Sequence, residues 1–206
     1  MSCKQRSFLE HARHLDLPPM HNCALLLIDW QHAFVDEGRR TFLCAAPRAL
    51  RRARALSRAF EAARLPVVVT RHVHRRRPRA GGMGSWWSSF LMEGDPASAC
   101  VEALVASGRS NVLDKTHYSA FRGTGLQGVL RAGGVGMVVI AGVMTHICVE
   151  STARDAFMRG FDVVVAHDAC ASKSQRLHEA SLLTMSHAVA RVHATARIVA
   201  ALRGRS

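Results

Sequence analysis

The chain has 206 residues, 49% of them apolar and 21% charged, and a chain of this length can bury roughly 70% of its unfolded surface. That excludes a disordered polymer and a mini-protein that depends on disulfides or metals for its core. Lys and Arg number 28 against 15 Asp and Glu, a formal charge of +13, so nucleic acid or another acidic surface is a question for the motifs to answer.

Residues 1–20 carry scattered charges without the apolar stretch of a secretory signal, and read as an N-terminal extension of a single domain over 1–206. Four short runs, 24–29 (ALLLID), 66–71 (PVVVTR), 137–142 (MVVIAG) and 161–166 (FDVVVA), are rich in β-branched residues and do not alternate. That is the pattern of strands buried on both faces of a parallel sheet. Weaker strand candidates are 111–115 (NVLDK) and 195–199 (TARIV). Over 47–64, Leu50, Ala53, Leu56, Phe60 and Ala63 recur at helical spacing while Arg51, Arg52, Arg54 and Arg58 fill the other positions, which predicts an amphipathic helix with a solvated arginine face. Segments 124–132, 146–159 and 175–190 also read as helices, with Gly133 and Gly160 placed to end two of them. Alternating strands and helices predict a three-layer α/β/α sandwich, doubly wound around a mostly parallel sheet of about six strands in the Rossmann-like manner. Segment 75–96 does not fit this alternation: it is rich in Gly, Pro and Arg, contains the pair Trp86 and Trp87, and reads as a long active-site or interface loop.

No run reaches the roughly 18 apolar residues of a membrane span. The cysteines at 3, 23, 44, 100, 148 and 170 lack zinc-ligand spacing and read as reduced thiols. These features predict a cytoplasmic protein without a membrane partner. The arginine clusters lack the aromatic interleaving of a nucleic-acid module, so nucleic acid is not an expected partner.

Ligands of open α/β sheets bind at the carboxyl ends of the strands. Three chemically able residues stand there: Asp29 after the first strand, Lys115 ending the weak third, and Cys148 beyond the turn that follows the fourth. With the usual strand order these ends adjoin. If Thr145 caps the following helix, Cys148 lies in its first turn, where the helix dipole and a nearby lysine favour a thiolate. Asp29 could then act as general acid and base.

The segments ALLLIDWQHAF (24–34), DKTHYSAFRGTGL (114–126) and VVIAGVMTHICVESTARDAFMRGFDVVVAHDA (138–169) together resemble the isochorismatase-like cysteine hydrolase superfamily, in order from about residue 18 to 190. The resemblance implies Asp29 as acid/base, Lys115 as charge partner and Cys148 as nucleophile. It also implies a cis peptide between Val143 and Met144, and an oxyanion hole formed by the amides of Met144 and Cys148. It further implies a homodimer or homotetramer that acts on a small molecule.

The departures from the family pattern narrow the reading. Nicotinamidases of the family carry a metal-binding Asp-x-His and a further histidine between the first two strands, and 36–64 here contains no histidine. His72 and His74 in TRHVH lack a third ligand, so neither metal nor cofactor is expected. Many true isochorismatases replace the nucleophilic cysteine, so retention of Cys148 points to cleavage of an amide, ureido or lactam C–N bond. Vinyl-ether hydrolysis through Asp29 is the alternative, and a non-enzymatic basic binding module is a further one. Candidate substrate-contacting residues are Phe34, His72, Trp86, Trp87, Tyr118, Phe121, Thr145 and His146.

Overall fold

The computed structural model describes residues 15–105 and 111–204. The first fourteen residues of the expected N-terminal extension therefore lie outside the described residues. Its end does not stand apart from the domain, because Met20 is buried in the core and Leu17 packs against it.

Strands β1 (Cys23–Ile28), β2 (Val67–His72), β3 (Asn111–Lys115), β4 (Met137–Val143), β5 (Asp162–Ala171) and β6 (Arg191–His193) form one six-stranded sheet in the order β3-β2-β1-β4-β5-β6. Every pairing is parallel. Helices α1 (His32–Val35), α2 (Ala46–Ala62), α3 (Met83–Trp86), α4 (Glu102–Val105), α5 (Leu126–Ala132), α6 (Glu150–Met158), α7 (Gln175–Ala188) and α8 (Thr195–Arg203) connect and cover the strands. All side chains of β1 and β4 are buried, which is why both segments read as unbroken apolar runs. Leu25, Leu27 and Val139 face a core shared with Leu56 and Phe60 of α2 and Ile198 of α8. Leu26, Ile28 and Ile140 face the opposite core, built with Leu130, Ala153 and Leu182 of α5, α6 and α7. The result is the expected three-layer sandwich.

Two elements differ from expectation. Segment 195–199 is not a strand but opens α8, and the last strand is β6, just before it. The Asp168 carboxylate accepts from both the backbone N–H and the hydroxyl of Thr195 at 2.7 Å, pinning the helix start, and the four-residue step from Ile198 to Leu202 sets one buried face. The helix expected from 146 begins instead with a wide π-helical turn, Thr145–Val149, and becomes regular α6 only at Glu150. Gly160 takes the expected left-handed turn (φ 78°), whereas after α5 it is Gly134 (φ 67°), not Gly133, that does so.

Arg51, Arg52 and Arg58 on α2 are solvent-exposed, as the amphipathic reading requires. Segment 75–96 folds around the short helix α3, and Arg40 donates across to the Ser88 hydroxyl at 3.0 Å. Among the described residues, no helix is long and apolar enough to cross a membrane.

Candidate functional site

Strand order reverses between β1 and β4, and a reversal of this kind opens a crevice at the strand carboxyl ends. Asp29 leaves β1 in the left-handed region (φ 53°), which aspartate tolerates better than most residues with a Cβ. Its Oδ1 accepts from the Thr70 hydroxyl at 2.7 Å, and its backbone N–H donates to the same hydroxyl oxygen at 3.1 Å. Its Oδ2 lies 2.7 Å from Lys115 Nζ, and both side chains are buried.

The strand ends are not all neighbours. β2 lies between β3 and β1, and His72, not Asp29, pairs with Lys115. The long lysine stem carries the ammonium past β2 to reach the carboxylate, and Nζ also donates to the His117 carbonyl at 3.0 Å. Burial pulls the Lys115 pKa down, but the Asp29 carboxylate and the Cys148 sulfur outweigh it, so the ammonium is held above its ordinary value.

Cys148 sits in the π-helical turn, and its sulfur, an Asp29 oxygen and a His72 nitrogen all lie within 4.8 Å of one another. Burial, and then the Asp29 charge, push the thiol above its ordinary range, and Lys115 opposes them without prevailing. The expectation of a preformed thiolate is thereby corrected: desolvation and a neighbouring carboxylate outweigh the helix dipole and the lysine. The expected cis bond between Val143 and Met144 is present.

Thr145 does not cap the helix. Its hydroxyl donates to the Ala171 carbonyl at 3.1 Å and lies 2.8 Å from His178 Nδ1. Thr145 is fully buried and spends its hydroxyl on β5 and α7, so it positions the turn and is not a substrate contact. His146 pairs through Nδ1 with the Ser172 hydroxyl.

His72 closes the β2 side of the crevice. Burial, helped by the Lys115 charge, pulls its pKa down to about 4, and its Nε2 lies 3.1 Å from that of His74. Gln31 clamps this strand end: its amide nitrogen donates to the carbonyls of His72 and Ser98, and its carbonyl oxygen accepts from the His72 N–H. Asp29, His72 and Cys148 offer the oxygen, nitrogen and sulfur donors that a divalent cation could use, although the adjacent Lys115 ammonium opposes a second positive charge there.

A cavity of about 580 Å³ lies over the loop after β3. Met83 and Trp86 of α3 form one wall; His117, Tyr118 and Arg122 form the opposite side, and Ser151 of α6 completes it. Trp86 is 78% exposed. Trp87 does not line the cavity but donates from Nε1 to the Tyr118 hydroxyl at 2.6 Å. Phe121 belongs to the core instead, stacked on Phe161 and 3% exposed, while Phe34 is half-buried against the α2 side.

The sequence reading missed Thr70, Arg122 and Ser151. Thr70 could have been found as the single hydroxyl closing the apolar run of β2. Arg122 and Ser151 carry no local signal, because only the packing of α3 over the loop and α6 makes them line one cavity.

Residues 23–197 match the model of the isochorismatase domain. Nicotinamidase 3 of Arabidopsis thaliana is 37% identical over 127 residues, covering 60% of this chain and 64% of that protein, so the chain spans just under two thirds of that relative. Maleamate amidohydrolase of Pseudomonas putida is 30% identical over 164 residues, covering 77% of this chain and 76% of the relative. The crystal structure of a cysteine hydrolase from Pseudomonas syringae superposes with a TM-score of 0.86 over 95% of this chain and 98% of its own, at 24% identity, and shares the fold. The domain model matched over residues 23–197, together with a relative 30% identical over 76% of its length, establishes that this chain belongs to the isochorismatase family.

Proposed function

We propose that this chain hydrolyses a C–N bond of a small amide or ureide through a thioester on Cys148. One observation carries the reading: a buried Asp29–Lys115 ion pair of 2.7 Å stands within reach of a buried thiol at the strand-order reversal. With the Cys148 thiol held above its ordinary range by burial and the Asp29 charge, attack and proton transfer are coupled. Asp29 takes the Cys148 proton as Sγ bonds to the carbonyl carbon, and the backbone amides of Met144 and Cys148 receive the oxyanion. Asp29 returns the proton to nitrogen, the C–N bond breaks, and ammonia or an amine leaves. Water then gives a proton to Asp29 and its oxygen to the acyl carbon; the C–S bond breaks, the sulfur recovers the proton from Asp29, and a carboxylic acid departs. Lys115 stays charged throughout and holds the Asp29 carboxylate in place. The names of the nicotinamidase and maleamate amidohydrolase relatives agree with amide cleavage.

The test is ammonium release by wild type and Cys148→Ala over a panel of amides, ureides and carbamoyl amino acids, with isochorismate consumption followed in parallel. The expected result is release by wild type and a loss of about 10³-fold or more in the variant. Isochorismate consumed equally by both proteins, with no ammonium from either, would instead make Cys148 a bystander and Asp29 the acid of a vinyl-ether hydrolysis.

A further inference from the structure

The cavity over the loop after β3 holds hydrogen-bond donors and little else that is polar. Among the described residues that line it, none is acidic. Nearby arginines are spent: Arg154 pairs with Glu150 at 2.7 Å, Arg159 with Asp155 at 2.6 Å, and Arg131 lies over the Phe161 ring. Arg122 has no carboxylate partner among the described residues and is exposed at the cavity wall. Tyr118 accepts from Trp87 Nε1, which leaves its own O–H to donate. Ser119 has committed its hydroxyl to Asp155 at 2.5 Å, whereas the Ser151 hydroxyl has no partner among the described residues. Ser151 lies in the first turn of α6, three residues after Cys148 in the chain. The His117 carbonyl that accepts from Lys115 Nζ ties the loop to the buried ion pair. Asp29, Lys115 and Cys148 do not themselves line the cavity; it adjoins them through the His117 backbone, and its lining combines the Arg122 side chain and the hydroxyl-bearing Tyr118 and Ser151 with the apolar Met83 and Trp86.

We infer that Arg122 is the specificity-determining residue of this site and anchors a carboxylate, so that the substrate is a small amide or ureide with an acid group at the end remote from the C–N bond that breaks. The planar guanidinium fork matches a carboxylate in two-point contact, the Tyr118 and Ser151 hydroxyls complete the anion's shell, and Trp86 covers the carbon chain between the two ends. Arg76 and Arg79, exposed on the segment that carries Trp86, add to a positive field that draws an anion toward the cavity. This inference rests on the amide-hydrolase reading above.

Matched pairs test it: maleamate against maleamide, and 3-ureidopropionate against its neutral amide, each with wild type, Arg122→Gln and Arg122→Lys. Wild type is expected to prefer the anion of each pair, and Arg122→Gln to lower that preference in kcat/KM by about tenfold or more, the loss of one charge-assisted contact. The change should fall on KM rather than kcat, and Arg122→Lys should recover part of it. A preference that Arg122→Gln leaves intact, or a loss equal for both members of each pair, overturns the assignment while the amide-hydrolase reading stands. If wild type hydrolyses no member of the panel, that reading fails instead. The anion site is then read by quenching of tryptophan fluorescence with succinate: saturation in wild type and none in Arg122→Gln supports the site, and equal behaviour of the two proteins removes it.

Discussion

At the scale of single residues, the main cost in this molecule is the burial of an aspartate and a lysine together. Asp29 and Lys115 have almost no exposed side-chain surface, and neither charge is tolerable alone in such a place. We therefore expect Lys115→Met to lose about 3–5 kcal/mol of stability in urea at pH 7, with an Asp29→Leu/Lys115→Met double variant regaining most of it. Equal stability of the single variant and wild type would mean that water reaches the pair. The reactive residue types at the strand ends were legible in the sequence, since Asp29, Lys115 and Cys148 close or follow apolar runs. Their ionisation was not, because the elevated thiol of Cys148 depends on burial and on which charge sits nearer, and neither quantity is local.

At the scale of elements, the close approach of β1 and β4 brings together the segments that carry Asp29 and Cys148. Gly142 pairs with Ile28 in the register, and a Cβ built on it would lie 2.2 Å from the Ile28 carbonyl oxygen, against rigid backbone. Gly142→Ala is expected to destabilise the protein by about 3 kcal/mol or more, since neither strand can move without disturbing the core. It should also lower kcat by shifting the turn before Cys148. Thermal unfolding and steady-state kinetics read the two effects, and a variant within about 0.5 kcal/mol of wild type would show that the strands separate easily. Strands β1, β2, β4 and β5 could be read from their apolar runs because burial on both faces leaves a direct mark on composition. The 195–199 segment could not, because a five-residue stretch of mixed apolar and polar residues fits either period. Its state was decided by the Asp168 carboxylate, 27 positions away in the chain.

For the whole molecule, the histidines set a direction for acid stability. Burial, the largest cause in each case, takes His72 and His178 down to about 4 from the ordinary 6.5, and it lowers His74, His146 and His167 as well. A depressed histidine pKa means that the unfolded chain binds protons which the folded one excludes between those two values. Stability therefore increases with pH across that window and is fully present above about 6.5. The unfolding free energy should fall as pH drops from 6.5 to 4, by up to about 1.4 kcal/mol per pH unit for each of His72 and His178, with the raised pKa of His32, held up by Asp36, opposing part of the loss. His178→Gln, which removes one titrating group and keeps a polar partner for Thr145, should make the slope shallower. A flat profile for wild type across this range would contradict the neutral, buried state of these side chains.

The sequence by itself determined the fold class and most of the strands, and it placed Asp29, Lys115 and Cys148 at or just beyond strand ends, because burial and strand-end position leave their signature in neighbouring residues. The tertiary structure alone decided the rest. The order β3-β2-β1-β4 makes Lys115 reach past His72 to Asp29, burial pushes the Cys148 thiol above its ordinary range, and the packing of α3 against the loop after β3 turns Arg122 from one arginine among many into the charge lining a cavity. Those outcomes depend on distances between segments far apart in the chain, and charge, desolvation and cavity shape act through such distances rather than through sequence neighbours.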